Sequence, residues 1–275
     1  MVLHIKENKL RAYVKDLRSV AVAFSGGVDS TLLLKVALDE LGRDNVLAVI
    51  GRSQTYPERE FTSAENLAKQ LGADYLVVDT DELANDDFSQ NPPNRCFYCK
   101  TELFAKLTEI AGQKGLKYVV DGNNAGDAGD FRPGRKAAQN FGVLSPLQEC
   151  GLNKEEVRML AKKEGLTNWN KPSLACLASR FPYGQGINSD KLSTVDKAEE
   201  FLLGLGINQV RVRFDKNTAR IEVLPQEFNL IIMNSKDITD YFKKLGFVYI
   251  ALDLEGYRTG SLNTVLPDLK EVTRV

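Results

Sequence analysis

Histidine is almost missing from this sequence: of 275 residues only His4 carries an imidazole. That scarcity argues against Ser-His-Asp and Cys-His nucleophilic catalysis and against histidine-based zinc sites. Cysteine is nearly as scarce, with four residues at 96, 99, 150 and 176. They are too few and too scattered for the disulfide framework of a small secreted protein. An excess of one charge is lacking too: 36 basic and 37 acidic side chains leave a net charge of -1. A general binder of nucleic acid or membrane surface carries a clear basic excess, so neither is expected as a partner, although a local basic pocket stays open. No apolar run approaches the length that spans a bilayer. The opening stretch MVLHIKENKLRAYVKDL is charged and amphipathic, without a signal-peptide core. A reducing cytoplasm is the expected location.

What is present is an ordinary globular composition, 43% hydrophobic and 27% charged, on a chain long enough for two domains. Periodicity and punctuation predict helices at 10–17, 30–41, 58–71, 101–111 and 154–164, the last opened by Asn153. They alternate with short apolar strands at 19–24, 46–50, 75–78 and 118–120. Alternation of this kind predicts an α/β fold, a doubly wound and mostly parallel sheet whose ligand lies beyond the C-terminal strand ends. After residue 185 the order changes to a helix at 190–203, strands at 209–214 and 219–223 around a polar DKNT turn, a helix at 238–244 and a strand at 249–252. This predicts a smaller C-terminal α+β domain. Pro172, Pro182, Gly184 and Gly186 interrupt regular structure between 165 and 187, so the domains are placed at 1–170 and 171–275.

SGGVDS, residues 25–30, lies between a predicted strand and a predicted helix. Gly26 and Gly27 allow a tight turn with exposed N–H groups, Ser25 and Ser30 add hydroxyl donors, and the following helix points its positive end at the same place. An anion is expected there. The stretch is not a Walker A loop, since it lacks the Gly-Lys-Ser/Thr ending. It resembles the PP-loop of ATP pyrophosphatases, which cleave ATP between the α- and β-phosphates. The resemblance implies that the loop holds pyrophosphate, that Asp29 organises the loop or its magnesium, and that Ser53, after the second strand, meets the adenosine. Asp121 and Gly122 follow the fourth strand at the same edge, with Asp121 a candidate magnesium ligand.

The pair Cys96–Cys99 in RCFYCK reads in several ways on its own: a redox dithiol at a helix start, part of a structural zinc site with Cys176 and Cys150, or a pair that supports chemistry at Cys176. Cys150 also reads as a small buried residue. Arg180, four residues after Cys176, would favour a thiolate or draw in a phosphate, or else stand on the surface. Ser179 could donate to a phosphate. Arg211 and Arg213 share one face of a strand and suit a phosphate monoester, or form the exposed polar face of an edge strand.

Taken in order, SGGVDS, DAGDFRPGRKAA (127–138), KPSLACLASRFPYG (171–184) and VRVRF (210–214) resemble the LarE family of sulfur transferases, from about residue 10 to residue 262. GDFRPG, with Asp127, Asp130, Arg132 and Arg135 in its stretch, SRFPYG and VRVRF are the more specific parts. The resemblance implies an ATP-dependent, AMP- and pyrophosphate-forming sulfurtransferase that adenylates a carboxylate of a pyridinium dicarboxylate mononucleotide and replaces oxygen with sulfur. In one version of the family a lone cysteine surrenders its own sulfur. In the other, that cysteine joins a C-x-x-C pair to hold a 4Fe-4S cluster. CFYC places this chain with the second, so Cys96, Cys99 and Cys176 are the expected catalytic residues and cluster ligands, with sulfide or another sulfur donor as co-substrate. Ser179, Arg180, Arg211 and Arg213 become the expected substrate-phosphate site, Glu199 an acidic partner or magnesium ligand, and Trp169 and Tyr183 stacking or core residues. A ring-like homo-oligomer is also implied. A PP-loop tRNA thiolase and a non-catalytic nucleotide sensor are the competing classes; net charge and the wealth of candidate chemistry weigh against them.

Overall fold

The structure is a computed structural model that describes residues 2–126, 133–172, 175–258 and 260–265. Asp127, Asp130 and Arg132 therefore lie outside the described residues. The chain divides into two compact units, Met1–Glu82 with Asn94–Leu174, and Leu83–Pro93 with Ala175–Val275.

The first unit opens with α1 (Val2–Leu17), β1 (Val20–Ala23), α2 (Val28–Leu41), β2 (Val46–Arg52), α3 (Glu58–Gln70) and β3 (Asp74–Asp79). The chain then leaves it for Leu83–Pro93, which carries a one-turn helix α4 (Asp86–Ser89). It returns for α5 (Arg95–Gln113), β4 (Tyr118–Val120), α6 (Gly134–Asn140), α7 (Pro146–Glu149) and α8 (Lys154–Lys163). The four strands are parallel in the order β3-β2-β1-β4, and Leu144 adds a parallel bridge to Val120. Strand alternation sends Val20, Val22, Val46, Ala48 and Ile50 to one face, among Leu32, Leu33 and Leu160. Ala21, Val49, Val78 and Val119 go to the other, among Phe104 and Leu107 of α5. Both faces are covered, which is why the strands read as near-continuous apolar runs.

Strand order also fixes where a ligand can sit. From β1 the sheet grows through β2 to β3, and β4 lies on the opposite side of β1. The crevice beyond the C-terminal ends of β1 and β4 is thus the topological switch point.

The second unit contains α9 (Ser189–Gly204), a hairpin of β5 (Val210–Asp215) and β6 (Thr218–Val223), then α10 (Phe228–Met233), α11 (Ser235–Lys244) and β7 (Tyr249–Leu252). β5 and β6 are antiparallel, while β7 joins β6 in parallel after the helical crossover. The core comprises Ala198 and Leu202 of α9, Val212 and Ile221 of the sheet, and Phe242 and Phe247. Leu83–Pro93 groups with this unit rather than with the flanking first-unit sequence. Asn91, fully buried at φ 56°, donates through Nδ2 to the carbonyls of Phe181 (3.2 Å) and Pro182 (2.9 Å).

The principal predicted strands and helices are all present, with shifted ends. The largest shifts are at α1, predicted from 10 but beginning at Val2, and at α5, predicted from 101 but beginning at Arg95, which places CFYC at the start of that helix. The short α6, α7 and α10 were not predicted; runs of four to seven residues carry too little periodicity to read.

Candidate active site

β1 ends at Ala23 and α2 begins at Val28, so residues 24–27 are the whole connection and the VDS of SGGVDS opens the helix. Gly26 adopts φ +67°, and a Cβ there would stand 2.9 Å from the Cα of Ala64. Both facts demand glycine. The loop is tied internally. Ser30 Oγ donates to the Gly27 carbonyl at 3.1 Å and lies 3.2 Å from Ser25 Oγ, and Thr31 Oγ1 donates to the same carbonyl at 2.8 Å. Asn168 reaches in from beyond α8, donating to the Gly26 carbonyl at 3.1 Å and to Thr31 Oγ1 at 2.9 Å. Tyr56 donates to the Ser25 carbonyl at 3.1 Å.

Asp29, in the first turn of α2, pairs with Lys154 and accepts from Asn124 Nδ2 at 3.1 Å. Gly122 presses against this turn: a Cβ on it would fall 2.8 Å from the backbone nitrogen of Ser30. The loop after β4 and the start of α2 are therefore in backbone contact, as the switch-point topology requires. Asp121 is buried, and its carboxylate accepts from Asn123 N (3.1 Å), Asn123 Nδ2 (2.6 Å) and Ser145 Oγ (2.7 Å).

Ser53, just past β2, donates to Glu82 Oε2 at 2.6 Å. The other oxygen of Glu82 accepts from Cys99 Sγ at 3.2 Å. Sequence reading singled out Ser53 and Cys99 and missed the buried carboxylate that joins them. Cys96 and Cys99 sit three apart on the first turn of α5, Cys96 exposed and Cys99 half-buried, and the Cys96 carbonyl is close to Gly134 of α6. Cys150 is buried in the core, where burial pushes its thiol upward.

The second unit holds a separate charged cluster. Arg180 is completely buried, its Nε and Nη2 each donating to one oxygen of Glu199 at 2.8 Å. Its Nη1 donates to the carbonyls of Ala175 (2.7 Å) and Cys176 (2.9 Å). The Cys176 carbonyl also accepts from Ser179 Oγ at 2.8 Å. Arg180 thus braces the backbone of the Cys176 loop, and its burial removes the alternative of a surface arginine. Glu199 accepts further from the Val212 backbone N–H at 3.0 Å. An oxygen pair engaged by a guanidinium and a backbone donor fits an arginine partner and does not fit a magnesium ligand.

Arg211 and Arg213 share one face of β5 and are 4% and 8% exposed, which removes the alternative of an exposed polar face. Arg213 donates to the Ser179 carbonyl (2.6 Å), to Glu222 Oε2 (2.8 Å) and to Ser261 Oγ (2.8 Å). The Arg211 guanidinium lies 5.3 Å from the Tyr257 ring centroid. Burial, and then the nearby Arg180 charge, lower the Arg211 pKa. Three buried arginines gather with Glu199 and Glu222 in one desolvated place, a setting in which guanidiniums suit an anionic group. Trp169 packs against the first core with Lys162 over its ring at 4.6 Å, and the Tyr183 hydroxyl donates to Asn263 Oδ1 at 2.8 Å.

Ser25, Gly26, Gly27, Asp29, Ser30, Asp121 and Gly122 therefore meet at one strand edge, with Ser53 and Cys99 joined through Glu82. Ser179, Arg180, Glu199, Arg211, Arg213 and the Cys176 backbone belong to the second unit. Among the described residues, no group of three or more His, Cys, Asp or Glu side chains is placed to hold a metal.

A glycine turn at the switch point of a parallel sheet, followed by a helix with its N-terminus at the loop, defines an ATP-dependent enzyme of the PP-loop class. A family profile described as NAD synthase matches residues 2–102. Over nearly the whole chain the likeness is to other proteins. The pyridinium-3,5-bisthiocarboxylic acid mononucleotide synthase of Lactiplantibacillus plantarum is 42% identical, across 96% of each chain. An uncharacterised protein of Synechocystis is 43% identical over 96% of this chain and 99% of its own. Another from Methanocaldococcus jannaschii is 30% identical over 92% and 96%. The chain belongs to the LarE family, that of the L. plantarum synthase.

Proposed function

We propose that this protein is an ATP-dependent sulfur transferase acting on a pyridinium dicarboxylate mononucleotide, with Cys96, Cys99 and Cys176 holding a 4Fe-4S cluster. The observation that carries the reading is the end-to-end match to a synthase whose name specifies a pyridinium bisthiocarboxylic acid mononucleotide. The SGGVDS loop holds the β- and γ-phosphates of ATP through its N–H groups and the hydroxyls of Ser25 and Ser30. Asp29, held by Lys154 and Asn124, shapes the loop; magnesium enters with ATP, and Asp29 and Asp121 are the carboxylates at that edge. Ser53 and Gly122 complete the nucleotide contacts. Arg211 and Arg213 hold the substrate phosphate with Ser179, while Arg180 positions the Cys176 loop from behind.

The reaction then runs in two displacements. A substrate carboxylate oxygen bonds to the α-phosphorus of ATP and pyrophosphate departs, leaving an acyl adenylate. Hydrosulfide bonds to the acyl carbon, AMP departs with the oxygen, and loss of one proton gives the thiocarboxylate. A C-x-x-C pair on a single helical turn suits two thiolate ligands. Cys96, Cys99 and Cys176 would hold the cluster, and it would supply an iron site able to bind sulfide. The residues derived above bind ATP, hold the phosphate and orient the cysteine loop.

Anaerobic reconstitution followed by iron and acid-labile sulfide analysis tests the proposal. About four irons per chain are expected for the parent, and loss of iron in Cys99→Ala and in Cys176→Ala. Absence of iron, with a decrease of roughly 34 Da in the intact mass after one turnover, would instead assign the sulfur to Cys176 itself. Salt-dependent tRNA binding with no turnover of the pyridinium nucleotide would favour a tRNA thiolase.

A further inference from the structure

Glu82 has an unusual environment for a carboxylate. It is 4% exposed, and among the described residues it takes part in no ion pair. Neutral donors hold it instead: Ser53 Oγ on Oε2 at 2.6 Å, with Thr80 Oγ1 and Cys99 Sγ both on Oε1 at 3.2 Å. A buried acid is ordinarily balanced by a cation, and one satisfied by neutral donors alone depends on each of them. Two of these donors belong to different parts of the proposed chemistry, Ser53 to the nucleotide and Cys99 to sulfur.

We propose that Glu82 is a positioning residue that couples nucleotide binding to the Cys99 thiol. The proposal rests on the assignment of Ser53 to the nucleotide made above. Ser53 has a single hydroxyl proton, and it goes to Glu82. Its oxygen also accepts from the Thr55 N–H at 3.0 Å and lies 2.8 Å from Thr55 Oγ1. A nucleotide that takes the Ser53 hydroxyl therefore removes the shortest bond to Glu82. The carboxylate then turns to its remaining donors, Thr80 and Cys99, and holds the thiol more firmly. Glutamate can do this because each of its oxygens accepts from a different partner. Glutamine has nearly the same volume, but its amide nitrogen cannot accept, so it cannot take the Ser53 hydroxyl proton on one side and the Cys99 thiol proton on the other.

The test is the rate at which iodoacetamide alkylates Cys99 in the full-length, metal-free reduced protein, with and without saturating ATP. Cys96 is scored on the same peptide, separated by fragment-ion mass spectrometry. In the parent, ATP is expected to slow Cys99 alkylation by about threefold or more, a modest coupling by the usual scale, with the Cys96 rate unchanged. In Glu82→Gln the ratio is expected to fall to about one with the melting temperature preserved, an outcome that a merely structural role would not give. Reduced ATP affinity in Ser53→Ala, together with a parent-like alkylation ratio in Glu82→Gln, would overturn the coupling alone. Undiminished ATP affinity in Ser53→Ala would overturn the nucleotide assignment of Ser53 and the coupling with it. A parent ratio of one while ATP is bound would overturn the coupling directly.

Discussion

Replacing Glu199 with glutamine preserves the shape of the second unit and removes one charge from its least accessible ion pair. Arg180 and Glu199 have side chains 0% and 1% exposed, joined by two parallel hydrogen bonds of 2.8 Å. In Glu199→Gln the guanidinium keeps its burial and loses its counter-charge, and the new amide presents a donor to a donor. Removing one partner of a buried pair costs about 3–5 kcal/mol. At a slope of about 2 kcal/mol per molar urea, a loss near 4 kcal/mol moves the unfolding midpoint down by about 2 M. The expected result is a fall of that size in the midpoint followed by far-ultraviolet circular dichroism. A loss below about 1 kcal/mol, the range of an exposed pair, would refute the assignment of this pair as a buried brace. The pH dependence offers a second check. Burial alone would raise the Glu199 carboxyl, but Arg180 overcomes it and holds the group below its ordinary value. A carboxyl depressed by folding contributes its stability above the unfolded pKa and loses it as pH falls through the lower folded value. The gap between parent and variant is therefore full at neutral pH and closes only on acidification beyond the ordinary carboxylate range.

Other perturbations give distinct signatures. Gly122→Ala puts a methyl against the Ser30 backbone nitrogen, where no side chain can yield; a stability loss of about 1–3 kcal/mol in thermal unfolding and weaker ATP binding by calorimetry are expected. Asp29→Asn breaks the pairing with Lys154 and should slow ATP-dependent pyrophosphate release by about tenfold or more, since the loop loses its fixed geometry. Arg211→Ala should raise the KM for the pyridinium mononucleotide by about 10–100-fold, the worth of a charge-assisted contact, while ATP affinity measured by calorimetry stays near the parent's.

The PP-loop and the sheet around it were legible because their causes are local. Near-continuous apolar runs of strand length, Gly42 and Gly72 after helices, and two glycines between strand and helix each act over a few residues. The α5 start was misplaced for the same reason: Asn94 at its N-cap makes no side-chain capping bond, so no nearby residue announced it. Arg211 and Arg213 could be put on one face by strand alternation, yet their burial depended on what covers that face. The surface alternative for Arg180 failed on the same ground.

The order of hydrophobic runs and glycines thus determined by itself that a phosphate-binding turn would follow the first strand of a parallel sheet. Folding decided the rest: that Asp29 meets Lys154 across 125 residues, that Glu82 links Ser53 to Cys99, and that Arg180 is sealed against Glu199. Such pairings leave no periodic trace in a sequence. The fate of a charged side chain is set by which distant surfaces exclude water around it, and that exclusion exists only once the chain has packed.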